Sequence, residues 1–153
     1  MTQALVASNG HYSQFTGDGL MALYGLDAAD PRNGLADAVR GELERLDQLN
    51  YRLRSDLREP LRIGIGIHFS EAIVGAMGPP RSQVITAIGD AVNTCARLES
   101  LTKEYGSAVV ISRQAAQAAG LSLDGQELHE APVKGRREPV QFYALKTLAE
   151  LQI

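Results

Sequence analysis

The spacing of apolar residues changes along this chain, and each change predicts a different element. Met1 to Ala7 reads as the end of a helix. His11 to Thr16 and Gly19 to Gly25 read as two short strands around Gly17-Asp18, where an Asp-Gly step supplies the positive dihedral angles of a tight hairpin. Asp30-Pro31 has the form of an N-cap followed by a first-turn proline. Beyond it Leu35, Val39, Leu43, Leu46, Leu49 and Leu53 recur at three- and four-residue steps, which predicts a long amphipathic helix. From Leu61 the period becomes two. Leu61, Ile63, Ile65, Ile67 and Phe69 share one face, and Arg62, Gly64, Gly66 and His68 share the other. Glycines on that second face cost backbone entropy, so they make most sense where another backbone, a helix or a ligand comes close. A second strand, Ala72 to Met77, follows.

Gly78 to Gln83 is loop by composition, and Val84 to Ile88 is a short apolar strand leading into a helix that ends near Tyr105, with Gly106 as its C-cap. On a helical wheel Val92, Cys95, Leu98 and Tyr105 fall on one side, and Asn93, Arg97, Ser100 and Glu104 on the opposite one. An amide and a guanidinium four residues apart therefore stand one above the other, pointing away from the core. Asp90, just before this helix, reads as a cap or loop residue, and His68 as a strand residue facing a helix or loop; neither is assigned to catalysis. Farther on come a strand at Ala108 to Ile111, a helix from Ser112 to Ala119 capped by Gly120, and strands near Glu127 to His129 and Val140 to Leu145. Hairpins mixed with helices predict an α+β domain of one sheet with helices on a face.

Composition narrows the function classes. A chain of 153 residues fits one domain with a packed core. A hydrophobic share of 44% and a charged share of 22% are ordinary for a globular protein. No apolar run approaches the ~20 residues needed to cross a bilayer. A net charge of -3 gives no broad field for nucleic acid or anionic lipid, so any phosphate binding must be local. The one cysteine, Cys95, excludes an internal disulfide and sits among apolar helix positions, pointing to a buried thiol and a reducing, cytoplasmic setting. The first residues carry neither a basic cluster nor a long apolar core, so no signal peptide is expected.

Four blocks, taken in order, carry a resemblance. They are Phe15-Thr16-Gly17-Asp18-Gly19-Leu20-Met21-Ala22-Leu23-Tyr24-Gly25, Arg62-Ile63-Gly64-Ile65-Gly66-Ile67-His68, Thr86-Ala87-Ile88-Gly89-Asp90-Ala91-Val92-Asn93-Thr94-Cys95-Ala96-Arg97-Leu98-Glu99, and Val133-Lys134-Gly135 followed by Glu138-Pro139-Val140. Together they resemble the catalytic domain of class III nucleotidyl cyclases, the adenylyl and guanylyl cyclase family. The resemblance implies a ferredoxin-like fold and closure of a nucleoside triphosphate to a cyclic nucleotide with release of pyrophosphate. It makes Asp18 one of two aspartates that hold a pair of magnesium or manganese ions. It makes Asn93 the residue that orients the ribose, Arg97 the one that stabilises the transition state, and Lys134 a ligand of the triphosphate. Read without that context, Asp18 is a hairpin-turn residue, Lys134 a solvated turn lysine and the Asn93/Arg97 face a solvated surface.

Base recognition departs from the family pattern. Where adenylyl enzymes carry a lysine and guanylyl enzymes a glutamate, this chain has Gln14, which both donates and accepts. Thr86 matches a second base-reading threonine of bacterial adenylyl cyclases, which favours ATP over GTP; its plain alternative is a buried strand threonine. The family also opens with a strand bearing Phe-x-Asp-Ile-x-x-Phe, and no segment here reads that way. Residues 1–153 are accordingly expected to be a single, partial catalytic domain lacking its first strand, weak or inactive alone. In the family the site forms between two catalytic domains, so a homodimer is expected. The contrasting reading is a degenerate cyclase-like module that dimerises or binds nucleotide without turnover.

Overall fold

The computed structural model describes residues 2–26, 32–134, 136 and 138–146. Helix α1 (Thr2–Ala7) leads into β1 (His11–Thr16), which turns at Gly17, φ 69°, into β2 (Gly19–Leu23). The two strands pair antiparallel, with an irregularity between Tyr12 and Gln14. Helix α2 (Arg32–Leu53) buries Val39 and Leu43, as its apolar spacing predicts. The expected cap at Asp30-Pro31 and the side chain of Leu35 lie outside the described residues.

The period-two stretch after Leu61 forms a shorter strand than expected, β3 (Ile65–Ile67). Leu61 and Phe69 do not pack; both are exposed. Asn50 of α2 explains one end: its side-chain amide donates to the Leu61 carbonyl at 2.9 Å and accepts from the Leu61 N–H at 2.7 Å. The Leu61 backbone is thus satisfied by a helix side chain instead of a ladder. Next come β4 (Ile73–Met77), β5 (Val84–Ile88), α3 (Asp90–Tyr105), β6 (Val109–Ser112), α4 (Arg113–Ala118), β7 (His129–Ala131) and β8 (Val140–Leu145). Asp90 lies in the first turn of α3, and the cap position belongs to Gly89, φ 134°. Gly106 ends the helix in the left-handed region, φ 59°, with its N–H on the Thr102 carbonyl. Ser112 is the N-cap of α4 and accepts from the Ala115 N–H at 3.2 Å.

The expected single sheet is three ladders among the described residues: β1-β2, β4-β5, and a four-stranded sheet in the order β3-β6-β8-β7. In the last, β3 runs parallel to β6, and the other pairs are antiparallel. The free side of β3 has no ladder partner among the described residues. Helices also cover both faces of this sheet rather than one. The reason is visible in β6, where Val109, Val110 and Ile111 are all buried, so alternate residues enter different cores. Val109 and Ile111 join Val39, Leu43, Ile67 and Leu145; Val110 joins Leu98 and Leu101 of α3 with Val133, Val140 and Phe142. Burial of each such large side chain contributes roughly 1.5–3 kcal/mol.

The bare glycine face of β3 meets α3, as its composition suggests. A methyl group added at Gly66 would fall onto the backbone nitrogen of Glu99 and lie 2.5 Å from the Cys95 carbonyl oxygen. One added at Gly64 would strike the Thr102 hydroxyl. The Cys95 thiol donates to the Gly66 carbonyl at 3.1 Å, and burial pushes its pKa up. Beside it, His68 Nδ1 and Ser112 Oγ share a hydrogen bond of 2.9 Å. Burial first, and the Arg136 charge second, lower the His68 pKa to about 4.

Two stability measurements follow from this packing. Gly66→Ala is expected to lower the urea unfolding free energy by about 2 kcal/mol or more, because its methyl group meets helix backbone that has no flexible end to move. Gly75→Ala, whose added methyl meets nothing within 4 Å, is the comparison; equal losses in the two variants would contradict the close approach. For His68 the folded pKa lies below the unfolded value of 6.5, so the unfolded chain takes up a proton first. Its contribution is fully present above pH 6.5 and is lost as pH falls toward about 4. His68→Gln should flatten the stability profile in that window, and an unchanged slope in the variant would refute the assignment.

Candidate functional site

Helix α3 presents the polar face that its spacing predicts. Leu98 and Leu101 are sealed into the sheet, Asn93, Ser100 and Glu104 are exposed, and Arg97 is partly exposed, with 37% of its side-chain surface open. Tyr105 lies at the rim of the apolar side, its ring edge-on to the buried Phe142 at 5.3 Å and 4.7 Å from the His129 ring. Because α3 is seated on Gly64 and Gly66 from below, the face of the helix that carries Asn93 and Arg97 is set by backbone contact.

Arg97 Nη1 donates to Glu104 Oε1 at 2.7 Å, within the same helix face. The wheel already places these two residues together, but a seven-residue step is beyond the usual three- and four-residue pairs. The ion pair is solvent-exposed on both sides and contributes at most about 1 kcal/mol to stability.

Gln14 lies on β1 with Met21 as its strand partner, and Thr86 lies on β5 opposite Gly75 and is buried. These strands share no ladder, yet Ser13 Oγ donates to the Ile85 carbonyl at 2.9 Å. Gln14 and Thr86 each stand one residue beyond this bridge, so the two expected base-reading positions occupy contiguous strands. Sequence reasoning missed Ser13, and no local pattern signals a contact between residues 72 apart.

Asp18 is exposed at the tip of the β1-β2 turn. Among the described residues no three His, Cys, Asp or Glu side chains gather in a way that could hold a metal ion. Magnesium is commonly held by one or two protein carboxylates together with substrate phosphates and waters, so an exposed carboxylate such as Asp18 suits one ligand position of such a site. Lys134 is exposed in the turn after β7, while its neighbour Val133 packs into the cluster that holds Leu98 and Leu101. Lys134 is therefore tied to α3 through the core. Gln14 and Thr86 thus lie on strands joined by the Ser13 bridge, Lys134 follows a residue packed beneath α3, and Asp18 lies at the hairpin tip.

Among the described residues no helix is long and apolar enough to cross a membrane. The family described as the adenylate and guanylate cyclase catalytic domain matches residues 5–147. Adenylate cyclase 1 of Rhizobium meliloti is 32% identical over 145 residues, covering 93% of this chain and 22% of the relative. The terminal-differentiation-specific adenylate cyclase of Dictyostelium discoideum is 31% identical over 144 residues, covering 92% of this chain and 7% of the relative. The chain thus spans a small part of the length of these curated relatives. Among solved structures, the guanylyl cyclase Cya2 superposes with a TM-score of 0.76 at 26% identity, covering 94% of this chain and 73% of that one. By sequence along nearly its whole length and by fold, the chain belongs to the class III nucleotidyl cyclases, as an adenylate/guanylate cyclase catalytic domain.

Proposed function

We propose that this domain converts ATP to cyclic AMP and pyrophosphate for intracellular signalling in the cytoplasm, working as a homodimer with its site between two copies. The observation that carries the proposal is the outward Asn93/Arg97 face of α3, held by the glycine seat on β3. The seat fixes where this face stands on the sheet, so a ligand meets an amide and a guanidinium one helical turn apart.

In this reading the 3′-hydroxyl oxygen attacks the α-phosphorus, pyrophosphate leaves in line, and negative charge grows on the phosphoryl oxygens. Arg97 meets that charge with a planar, permanently protonated guanidinium. Asn93, one turn earlier on the same face, orients the ribose by hydrogen bonds. Lys134 binds the triphosphate as a point charge. Gln14 and Thr86 address the base from adjoining strands, and a neutral amide that both donates and accepts accommodates adenine or, less well, guanine. Two adenylate cyclases among the relatives support ATP; the guanylyl cyclase among the structures is the reason to assay both. Asp18 would contribute one carboxylate to a magnesium or manganese pair, whose charge would lower the pKa of the 3′-hydroxyl and offset the growing negative charge.

Cyclic nucleotide formation from ATP and from GTP is the direct test, on this chain and on any longer protein that contains it. ATP is expected to be the better substrate, with weak turnover by the chain alone because Asp18 is its one assigned metal ligand. Arg97→Ala should lower activity by about 10²–10³-fold, the range for loss of a preorganised transition-state donor. Activity unchanged by Arg97→Ala would overturn the assignment, and no cyclic product from any form would favour the degenerate regulatory module.

The shared site makes a second prediction. Arg97→Ala and Asp18→Asn protomers, each inactive alone, should recover roughly a quarter of wild-type activity on mixing, because half of the random dimers are mixed and each holds one intact site. Failure to recover activity from well-folded, exchanging protomers would contradict a site built from two copies.

A further inference from the structure

Glu104 takes no part in the reaction described above, yet it forms an ion pair with the residue that reaction depends on most. The direction of that contact is unusual. Side chains on a helix lean toward its N-terminus, which for Arg97 is the direction of Asn93. Glu104 lies seven residues the other way, about 10 Å farther along the axis at a rise of about 1.5 Å per residue. A contact of 2.7 Å with Glu104 therefore draws the guanidinium toward the C-terminal end of α3, away from the amide with which it would share a substrate.

We propose that Glu104 is a positioning residue that parks the Arg97 guanidinium in a disengaged orientation, and that a bound polyphosphate must displace this carboxylate to engage Arg97. The inference rests on the reading of Arg97 as an anion ligand. Both ligands are anionic acceptors for the same fan of N–H donors, so they compete. The exchange is cheap because the pair is half-open to water, with 37% of the Arg97 side chain and 52% of the Glu104 side chain exposed. A buried pair would hold the guanidinium too firmly for a ligand to draw it off, and an unpaired arginine would sample many orientations. Glu104 thus sets a threshold: an anion too weakly charged to outbid a carboxylate leaves Arg97 parked.

Binding of ATP and of inorganic tripolyphosphate to the full 153-residue chain, measured by calorimetry, tests this. Glu104→Gln keeps the shape and removes the competing charge, and is expected to bind both ligands about two- to fivefold more tightly, the range set by an exposed ion pair. The gain must vanish in the Arg97→Ala background, and the thermal midpoint must stay close to that of the wild type. Glu59→Gln removes an equal charge from an exposed loop and should leave binding unchanged. Equal gains in Glu104→Gln and Glu59→Gln would reduce the effect to net charge and overturn the proposal. No gain in Glu104→Gln, with binding still weakened by Arg97→Ala, would overturn the parking role while sparing Arg97 as an anion ligand. Binding indifferent to Arg97→Ala, or absent in every form, would remove Arg97 from the anion site and the parking role with it.

Discussion

The approach of helix α3 to the backbone of β3 is the constraint on which the rest of the structure depends. A side chain at Gly66 would collide with the backbone of Glu99 and Cys95, so glycine is needed there for contact rather than for flexibility. That contact sets how deep Leu98 and Leu101 sink and which face of the helix looks outward. The thiol of Cys95 adds a weak directional bond to the Gly66 carbonyl. Asn93 and Arg97 share one outward helix face because of these buried contacts, none of which is chemical in the sense of the reaction.

The same seat organises the more distant parts. The cluster under α3 includes Val133, so the turn that carries Lys134 is pinned to the helix from below. On the other side, α3 follows directly from β5, and β5 is bridged to β1 by Ser13. A helix fixed on a sheet thereby connects two groups of polar residues that the ladders alone would leave independent. The division into three ladders matters here, because a side-chain bridge from Ser13 to the Ile85 carbonyl, not backbone pairing, joins the β1-β2 hairpin to β5.

Exposed charge plays a different part from buried contact in this domain. Arg97 is committed to no single partner: its pair with Glu104 is short yet solvent-screened, and little free energy is bound up in it. His68, by contrast, is kept neutral well below its usual range, since burial penalises its charged form and Arg136 adds to the penalty. The interior therefore excludes charge where it supports the helix, and the surface keeps charge mobile where a ligand has to be met.

Much of this was legible in the sequence. Period and punctuation located the β1-β2 hairpin, the long helix, the Asn93/Arg97 helix with its Gly106 cap, and the last strand, because each is governed by contacts within a few residues. The glycine face of β3 announced a close neighbour, and the wheel placed Glu104 beside Arg97. Tertiary structure decided which element took that seat, that Leu61 is drawn out of the strand by Asn50, that β6 feeds a core on each face, and that Ser13 bridges β1 to β5. The physical reason is the range of the interactions. Helix faces and turns report forces between near neighbours, which a pattern records, whereas a seat or a bridge depends on where distant backbone comes to rest.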